Sequence, residues 1–346
     1  MSQLPIPVTI LTGFLGAGKT TLLNAVLQAK PDTRFAIIEN EFGEVGIDGN
    51  LVLRADDELV ALNNGCICCT LNDNLLELLH DLFQQRATFD ELIIETTGVA
   101  DPAGVAAPFL LNAAVRRDYR LARIICLADA SQIGDRLQDT TEAALQLVYS
   151  DLVLLNKTDL VAPEVLQPLM AGLQEMNPLA KVLAAQMGQY PIAQLWAHHR
   201  DMDGWAAAPA AVSTPAASAC THNHDHGHTH DHDHHSHAHV GLHTDIESLS
   251  FTYDTPFQLA TLKHRLMALL MFQGKDIFRI KGIVHVATEP RPVVVQSVGK
   301  QLSWTLLPEG APVPPSESRL VVIGRGLKLA AFDKVWKACM APKTTA

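Results

Sequence analysis

Short apolar runs and helix-length amphipathic stretches alternate along the first 200 residues. Residues 8–11, 36–38, 92–94, 124–127, 152–155 and 182–184 are apolar runs with few alternating polar positions. Such runs predict strands buried on both faces. Helical patterns near 19–29, 73–86, 103–116, 139–148, 163–176 and 191–199 lie between them. Strands bounded by helices predict an α/β fold, with a mostly parallel sheet covered on both sides.

The pattern stops at residues 203–245, which are rich in Ala, Pro, Ser, Asp and His. No apolar periodicity supports a packed core there, so the segment reads as a disordered linker. Periodicity resumes with predicted strands at 249–253, 277–286, 293–297, 302–307 and 320–323, and helices at 259–271 and 327–340. That order predicts a small α+β domain with a mostly antiparallel sheet. The expected organisation is three parts, 1–202, 203–245 and 246–346.

The net charge of -11 is unevenly spread: residues 246–346 hold 13 of the 26 Lys+Arg but only 7 of the 37 Asp+Glu. The basic part has no clustered run of Lys and Arg, which argues against a nucleic-acid partner. No apolar run reaches membrane-spanning length, and the N-terminus reads as a strand rather than a signal peptide. The expectation is a cytoplasmic protein with no membrane partner, a monomer or weak homo-oligomer. Three of the six cysteines fall within four positions, which suits a metal or redox site in a reducing compartment.

Gly13-Phe14-Leu15-Gly16-Ala17-Gly18-Lys19-Thr20 matches the phosphate-loop pattern G-x-x-x-x-G-K-[ST] at every defined position. A predicted strand comes before it and a helix pattern opening at Thr21 comes after, so the first domain reads as a P-loop NTPase. In such loops the glycines let backbone N–H groups curl around phosphate oxygens, and the helix N-terminus adds its positive end. Lys19 is expected on the β- and γ-phosphates, and the Thr20 hydroxyl on Mg²⁺.

Asn156-Lys157-Thr158-Asp159 follows the predicted strand at 152–155, where ligand contacts gather in α/β sheets. A carboxylate at Asp159 accepts from the two adjacent N–H donors of the guanine edge, a pair that adenine lacks. The combination selects GTP. Glu95-Thr96-Thr97-Gly98 ends another predicted strand. An acid there holds Mg²⁺ directly or through water, with Gly98 facing the γ-phosphate. Glu replaces the commoner Asp, which leaves the coordination shell open. Asp101-Pro102 reads as a helix start. The catalytic candidates are Lys19, Thr20 and Glu95. No residue is assigned to position the attacking water.

Gly65-Cys66-Ile67-Cys68-Cys69 brings three thiols together. Three thiolates can converge on one ion such as Zn²⁺ or Co²⁺, and three ligands leave an exchangeable position. A buried structural group or a redox pair are the alternatives; Cys126, inside an apolar run, reads as core. Glu39-Asn40-Glu41-Phe42-Gly43-Glu44 is equally a solvated loop or a set of hard oxygen ligands on spacing alone. His222, His224, His226, His228, His230, His232, His234, His235, His237, His239 and His243 put 11 of 16 histidines within 22 residues. They read as accessory ligands for metal capture or buffering.

With these motifs in this order, the chain resembles the CobW-like metal-chaperone GTPases of the SIMIBI class of P-loop proteins, most closely their YjiA-like branch. The resemblance runs through G-F-L-G-A-G-K-T, E-N-E-F-G-E, G-C-I-C-C, E-T-T-G-x-A-D-P and N-K-T-D, and continues to Lys281-Gly282 in the C-terminal part. It implies a weak GTPase that binds zinc through Cys66, Cys68 and Cys69 and passes it to a client metalloprotein. It also implies metal-linked roles for Glu39 and Glu44. A cobalt or nickel insertase for enzyme or cobalamin maturation, and a non-catalytic zinc buffer, are the competing expectations.

Overall fold

The computed structural model describes residues 4–39, 50–55, 58–63, 71–98, 101–198, 200, 244–307 and 317–342. The first part runs β1 (Ile6–Gly13), α1 (Lys19–Ala29), β2 (Phe35–Glu39), β3 (Asn50–Ala55), β4 (Glu58–Asn63), α2 (Leu71–Gln84), β5 (Glu91–Glu95), α3 (Pro102–Leu111) and α4 (Ala113–Asp118). It continues through β6 (Tyr119–Asp129), α5 (Ile133–Asp139), α6 (Thr141–Tyr149), β7 (Leu152–Asn156), α7 (Pro163–Met176), β8 (Lys181–Ala184) and α8 (Ile192–Trp196). Strands β2-β5-β1-β6-β7-β8 form a parallel sheet in that order. The apolar runs become its central strands because helices cover both faces.

Three local features depart from the sequence expectation. Strands β3 and β4 form an antiparallel hairpin that extends the sheet beyond β2, where no element was assigned. Its signal was present, since two apolar runs flank Asp56-Asp57. The helix expected over 103–116 is two helices. The Asn112 side chain accepts from the N–H groups of Ala114 and Val115 at 2.9 and 3.2 Å and so opens a new helix. The helix expected over 139–148 begins at Thr141, capped by Thr140, and the short α5 precedes it.

The C-terminal part comprises β9 (Ile246–Tyr253), α9 (Leu259–Gln273), β10 (Ile277–Val284), β11 (Val293–Val298), β12 (Gln301–Leu306), β13 (Ser318–Arg325) and α10 (Leu329–Lys337). Its antiparallel sheet has the order β12-β11-β10-β13-β9. Strand alternation gives this sheet two apolar faces. One packs Phe251, Ile280 and Val322 against Leu266, Leu270 and Trp336 of α9 and α10. The other packs Phe278, Ile283 and Val321 against Leu147 and Val148 of α6 and Leu173 of α7.

A buried charge cluster sits within that second contact. Asp151, at the foot of β7, accepts from the Ile124 N–H at 3.0 Å, from Arg200, and from Arg279 of β10 at 3.2 Å. Arg279 also donates to the carbonyls of Val148 and Ser150 at 2.5 and 3.0 Å. Lys281 donates to the Arg200 carbonyl at 2.9 Å, and Arg200 donates to Gln296 of β11 at 3.2 Å. Burial alone raises the Asp151 carboxyl, but Arg200, Lys281, Arg279 and His198 outweigh it and hold it at about 2.

Because the folded value lies below the unfolded one, about 3.9, this contribution to stability is present above about pH 4. It is lost as the pH falls towards 2. Asp151→Asn is expected to lower unfolding free energy at neutral pH by about 3–5 kcal/mol, because it strands buried cations. Urea titrations across pH 2–7 check both statements: the deficit relative to the parent should shrink at the acid end.

Candidate nucleotide-binding site

The loops at the carboxyl ends of β1, β5, β6 and β7 converge on one edge of the parallel sheet. The loop after β1 curls because Gly13, Gly16 and Gly18 adopt φ of 134°, 78° and 104°, which L side chains rarely adopt. Lys19 opens α1, and its ammonium donates to the carbonyls of Gly13 and Phe14 at 2.8 and 3.2 Å. Burial lowers its pKa, against the nearby Glu95 carboxylate that raises it. Ala17 is buried, and Thr20 and Thr21 follow on the first turn of the helix.

Glu95 ends β5 and accepts from the Thr20 hydroxyl at 3.3 Å. This puts two hard oxygen donors together beside the helix N-terminus, a donor set that suits Mg²⁺. The next turn lies against the phosphate loop. A Cβ on Gly98 would stand 2.6 Å from the Leu15 nitrogen, so only glycine permits this approach. The Thr97 hydroxyl oxygen is buried without a hydrogen-bond partner among the described residues, as expected of a group placed to meet a ligand. Asp101 caps α3 by accepting from the Ala103 N–H at 2.9 Å.

Asn156 reaches from β7 to the phosphate loop, donating to the Ala17 carbonyl at 2.9 Å. Lys157 has φ 59° and donates to Asp129 at 2.6 Å. Asp159 is exposed within a short 3₁₀ turn. Asp129 ends β6, and its acidity shows the balance of the site. Burial raises the carboxyl, while Lys157 and Ser131 bring it below the usual carboxylate range. Sequence reasoning missed Asp129, although an acid directly after an apolar strand was its signal. It also missed the loop after β8. There, Met187 and Gly188 both have positive φ, and the Gln189 N–H donates to the Gln186 carbonyl at 2.8 Å. The turn leads to Tyr190, whose hydroxyl lies 3.5 Å from the Asn156 amide. The Thr158 N–H and hydroxyl both donate to the Ala185 carbonyl, at 3.2 and 3.0 Å, which ties this loop to the guanine motif.

Two regions match known family models: residues 7–184 match the CobW/HypB/UreG nucleotide-binding domain, and residues 246–340 match the cobalamin synthesis protein cobW C-terminal domain. The chain belongs to the CobW family of P-loop GTPases. It is 33% identical to the zinc chaperone YjiA of Escherichia coli, over 86% of this chain and 88% of that protein. It is 31% identical to the zinc chaperone CobW of Pseudomonas aeruginosa, over 97% and 92%. The match to zinc-regulated GTPase metalloprotein activator 1 of Schizosaccharomyces pombe, 39% identical, spans 54% of this chain and 47% of that protein. The crystal structure of Zn(II)-bound YjiA GTPase superposes with a TM-score of 0.67 at 27% identity, covering 98% of this chain and 100% of that one.

Cys66, Cys68, Cys69, Glu44 and all the tract histidines from His222 to His243 lie outside the described residues. Glu39 ends β2, with its backbone in register with Glu95. Cys126 is buried, and burial pushes its thiol up to about 12, which makes it a core residue rather than a reactive one. No described helix is long and apolar enough to cross a membrane.

Gly18→Ala tests the geometry of the loop. Its Cβ would stand 2.6 Å from the Asn156 amide, at a φ that alanine rarely adopts. With strain of about 1–3 kcal/mol, nucleotide affinity measured by fluorescent-analogue titration should fall roughly tenfold or more.

Proposed function

We propose that this protein is a GTP-driven metallochaperone that holds zinc at Cys66, Cys68 and Cys69 and passes it to a client metalloprotein. The observation that carries the reading is topological. Strand β4 runs in the same direction as β2, because β3 is antiparallel to both. Asn63 therefore ends β4 on the edge of the sheet that carries the phosphate loop, Glu39 and Glu95. The cysteine motif begins two residues later in sequence, and α2 starts directly after it. A phosphate sensor on that edge, and a metal motif that follows in sequence from a strand ending there, suit a site whose affinity follows the nucleotide.

The chemistry of the residues fits GTP hydrolysis. Lys19 would exchange its loop carbonyls for β- and γ-phosphate oxygens and stabilise charge during phosphoryl transfer. Thr20 and Glu95 would hold Mg²⁺, which neutralises charge on the transferring group when bound. Asn156 braces the phosphate loop, and Asp159 would read the guanine edge. Gly98 would offer its N–H to the γ-phosphate, so that hydrolysis releases the turn. Loosening of that turn would in turn loosen the cysteine site. Glu39 and Glu44 would supply further ligands, and the histidine tract would gather ions without being essential to transfer.

The relatives support zinc as cargo, since two are named zinc chaperones and one a zinc-regulated activator. Zn(II) is also bound in the crystal structure of a YjiA variant with one glutamate and two cysteines changed to alanine, so that protein holds zinc at a place that does not need those side chains. Thiolate ligands with an open position suit an ion that must leave again.

Two substitutions test the two halves. Asp159→Asn replaces the acceptor with a donor-bearing amide. GTP affinity should fall by roughly 100-fold or more, whereas xanthosine triphosphate, with a carbonyl in place of the amino group, should bind better than to the parent. Joint replacement of Cys66, Cys68 and Cys69 by Ser should remove one tightly held zinc per chain, measured by chelator competition, and leave guanine nucleotide binding intact. Retention of that zinc would assign it to the histidine tract and leave the protein a buffer.

A further inference from the structure

Gln146 belongs to neither the phosphate motif nor the guanine motif, yet it is completely buried in α6. A glutamine there carries a desolvation cost unless its amide is used. Its side-chain Nε2 donates to the Gly98 carbonyl at 3.1 Å. The Gly98 Cα is itself hemmed in by the phosphate-loop backbone at Leu15, which leaves no room for a Cβ. Two residues earlier, the Thr96 N–H donates to the Leu11 carbonyl at 2.8 Å and fixes the start of the turn.

The helix that carries Gln146 is itself held firmly. The Ser150 hydroxyl donates to the Gln146 carbonyl at 2.6 Å. One turn beyond Gln146, the Tyr149 hydroxyl donates to the Phe278 carbonyl at 2.6 Å and accepts from the Gly299 N–H at 3.1 Å. Asp151, just past the helix, is the centre of the buried charge cluster. The helix that carries the Gln146 amide is thus fixed by contacts with both sheets, while Gly98 lies on the turn after β5.

We propose that Gln146 is a positioning residue for GTP: its amide holds the Gly98 carbonyl so that the Gly98 N–H faces the γ-phosphate. The inference rests on the reading of Gly98 as the γ-phosphate contact. Removing the amide takes the donor from a part-buried carbonyl and frees the peptide after Gly98; because glycine has soft φ and ψ, that freedom passes through its Cα to the preceding peptide, which carries the Gly98 N–H. That harms the state in which a γ-phosphate is bound and spares the diphosphate state.

The test uses the full-length chain with Gln146→Met, which keeps the length and removes the donor. Affinities for GDP and for a non-hydrolysable GTP analogue are measured with turnover. GDP affinity should stay within about twofold of the parent, while analogue affinity and kcat each fall roughly tenfold. Equal weakening towards both nucleotides would mark Gln146 as a packing residue and overturn the proposal, as would no change in either. If Gln146→Met does not fold, Gln146→Leu replaces it, since leucine is apolar, close in volume and has no proton to donate. Gly98→Ala, run alongside, separates the two readings. A parental preference for the analogue over GDP in Gly98→Ala overturns the role of Gly98 and the proposal with it. Loss of that preference in Gly98→Ala, with retention in the Gln146 variant, overturns the proposal alone.

Discussion

The buried carboxylate of Asp151 sets how the two sheets meet. Removing a carboxylate and two guanidinium groups from water costs several kcal/mol per ion, which only good geometry repays. Here Asp151 accepts from a backbone N–H, from Arg200 after α8, and from Arg279 on β10. Gln296 and the carbonyls of Val148 and Ser150 accept from further guanidinium donors. Few dockings of the C-terminal sheet would satisfy so many groups together. The apolar contact around Leu147, Phe278 and Ile283 supplies attraction, and the charges select one register.

This constraint reaches the nucleotide edge through short connections. Asp151 directly precedes the strand that ends at Asn156, and Asn156 braces the phosphate loop. The helix before Asp151 carries Gln146, which touches Gly98. Both structures therefore depend on the same few residues between α6 and β7. The arrangement places a packed scaffold under the loops at the carboxyl ends of β1, β5 and β7. On the proposed reading, binding energy from the γ-phosphate would act on Glu95 and Gly98 rather than being dissipated in the sheet.

Much of this was legible in the sequence because local rules and the global fold agree. The phosphate loop declares itself through glycines that need positive φ, and the parallel strands through unbroken apolar runs. The C-terminal sheet was legible from strand-length runs punctuated by turns. The hairpin of β3 and β4 is harder to read because its two apolar runs are short and are separated by Arg54 and the charged stretch Asp56-Asp57-Glu58. The split at Asn112 was missed because a side-chain cap can restart a helix without interrupting apolar periodicity. Asp129 had a local signal, an acid directly after an apolar strand, although its pairing with Lys157 did not show. Tyr190 and Gln146 had none: each meets a partner distant in sequence, and only the folded sheet brings Asn156 and Gly98 to them.

The central claim is that one protein couples the γ-phosphate to a metal site at the same sheet edge. The most direct measurement is zinc affinity by competition with a strong chelator, which strips the histidine tract and leaves the tightest site. It is made once with the non-hydrolysable GTP analogue bound and once with GDP. The account predicts tighter zinc with the analogue, by roughly tenfold if coupling is of the usual 1–3 kcal/mol. By reciprocity, zinc should strengthen analogue binding by the same factor. Equal zinc affinity in the two nucleotide states would contradict the account, because hydrolysis would then have no hold on the metal.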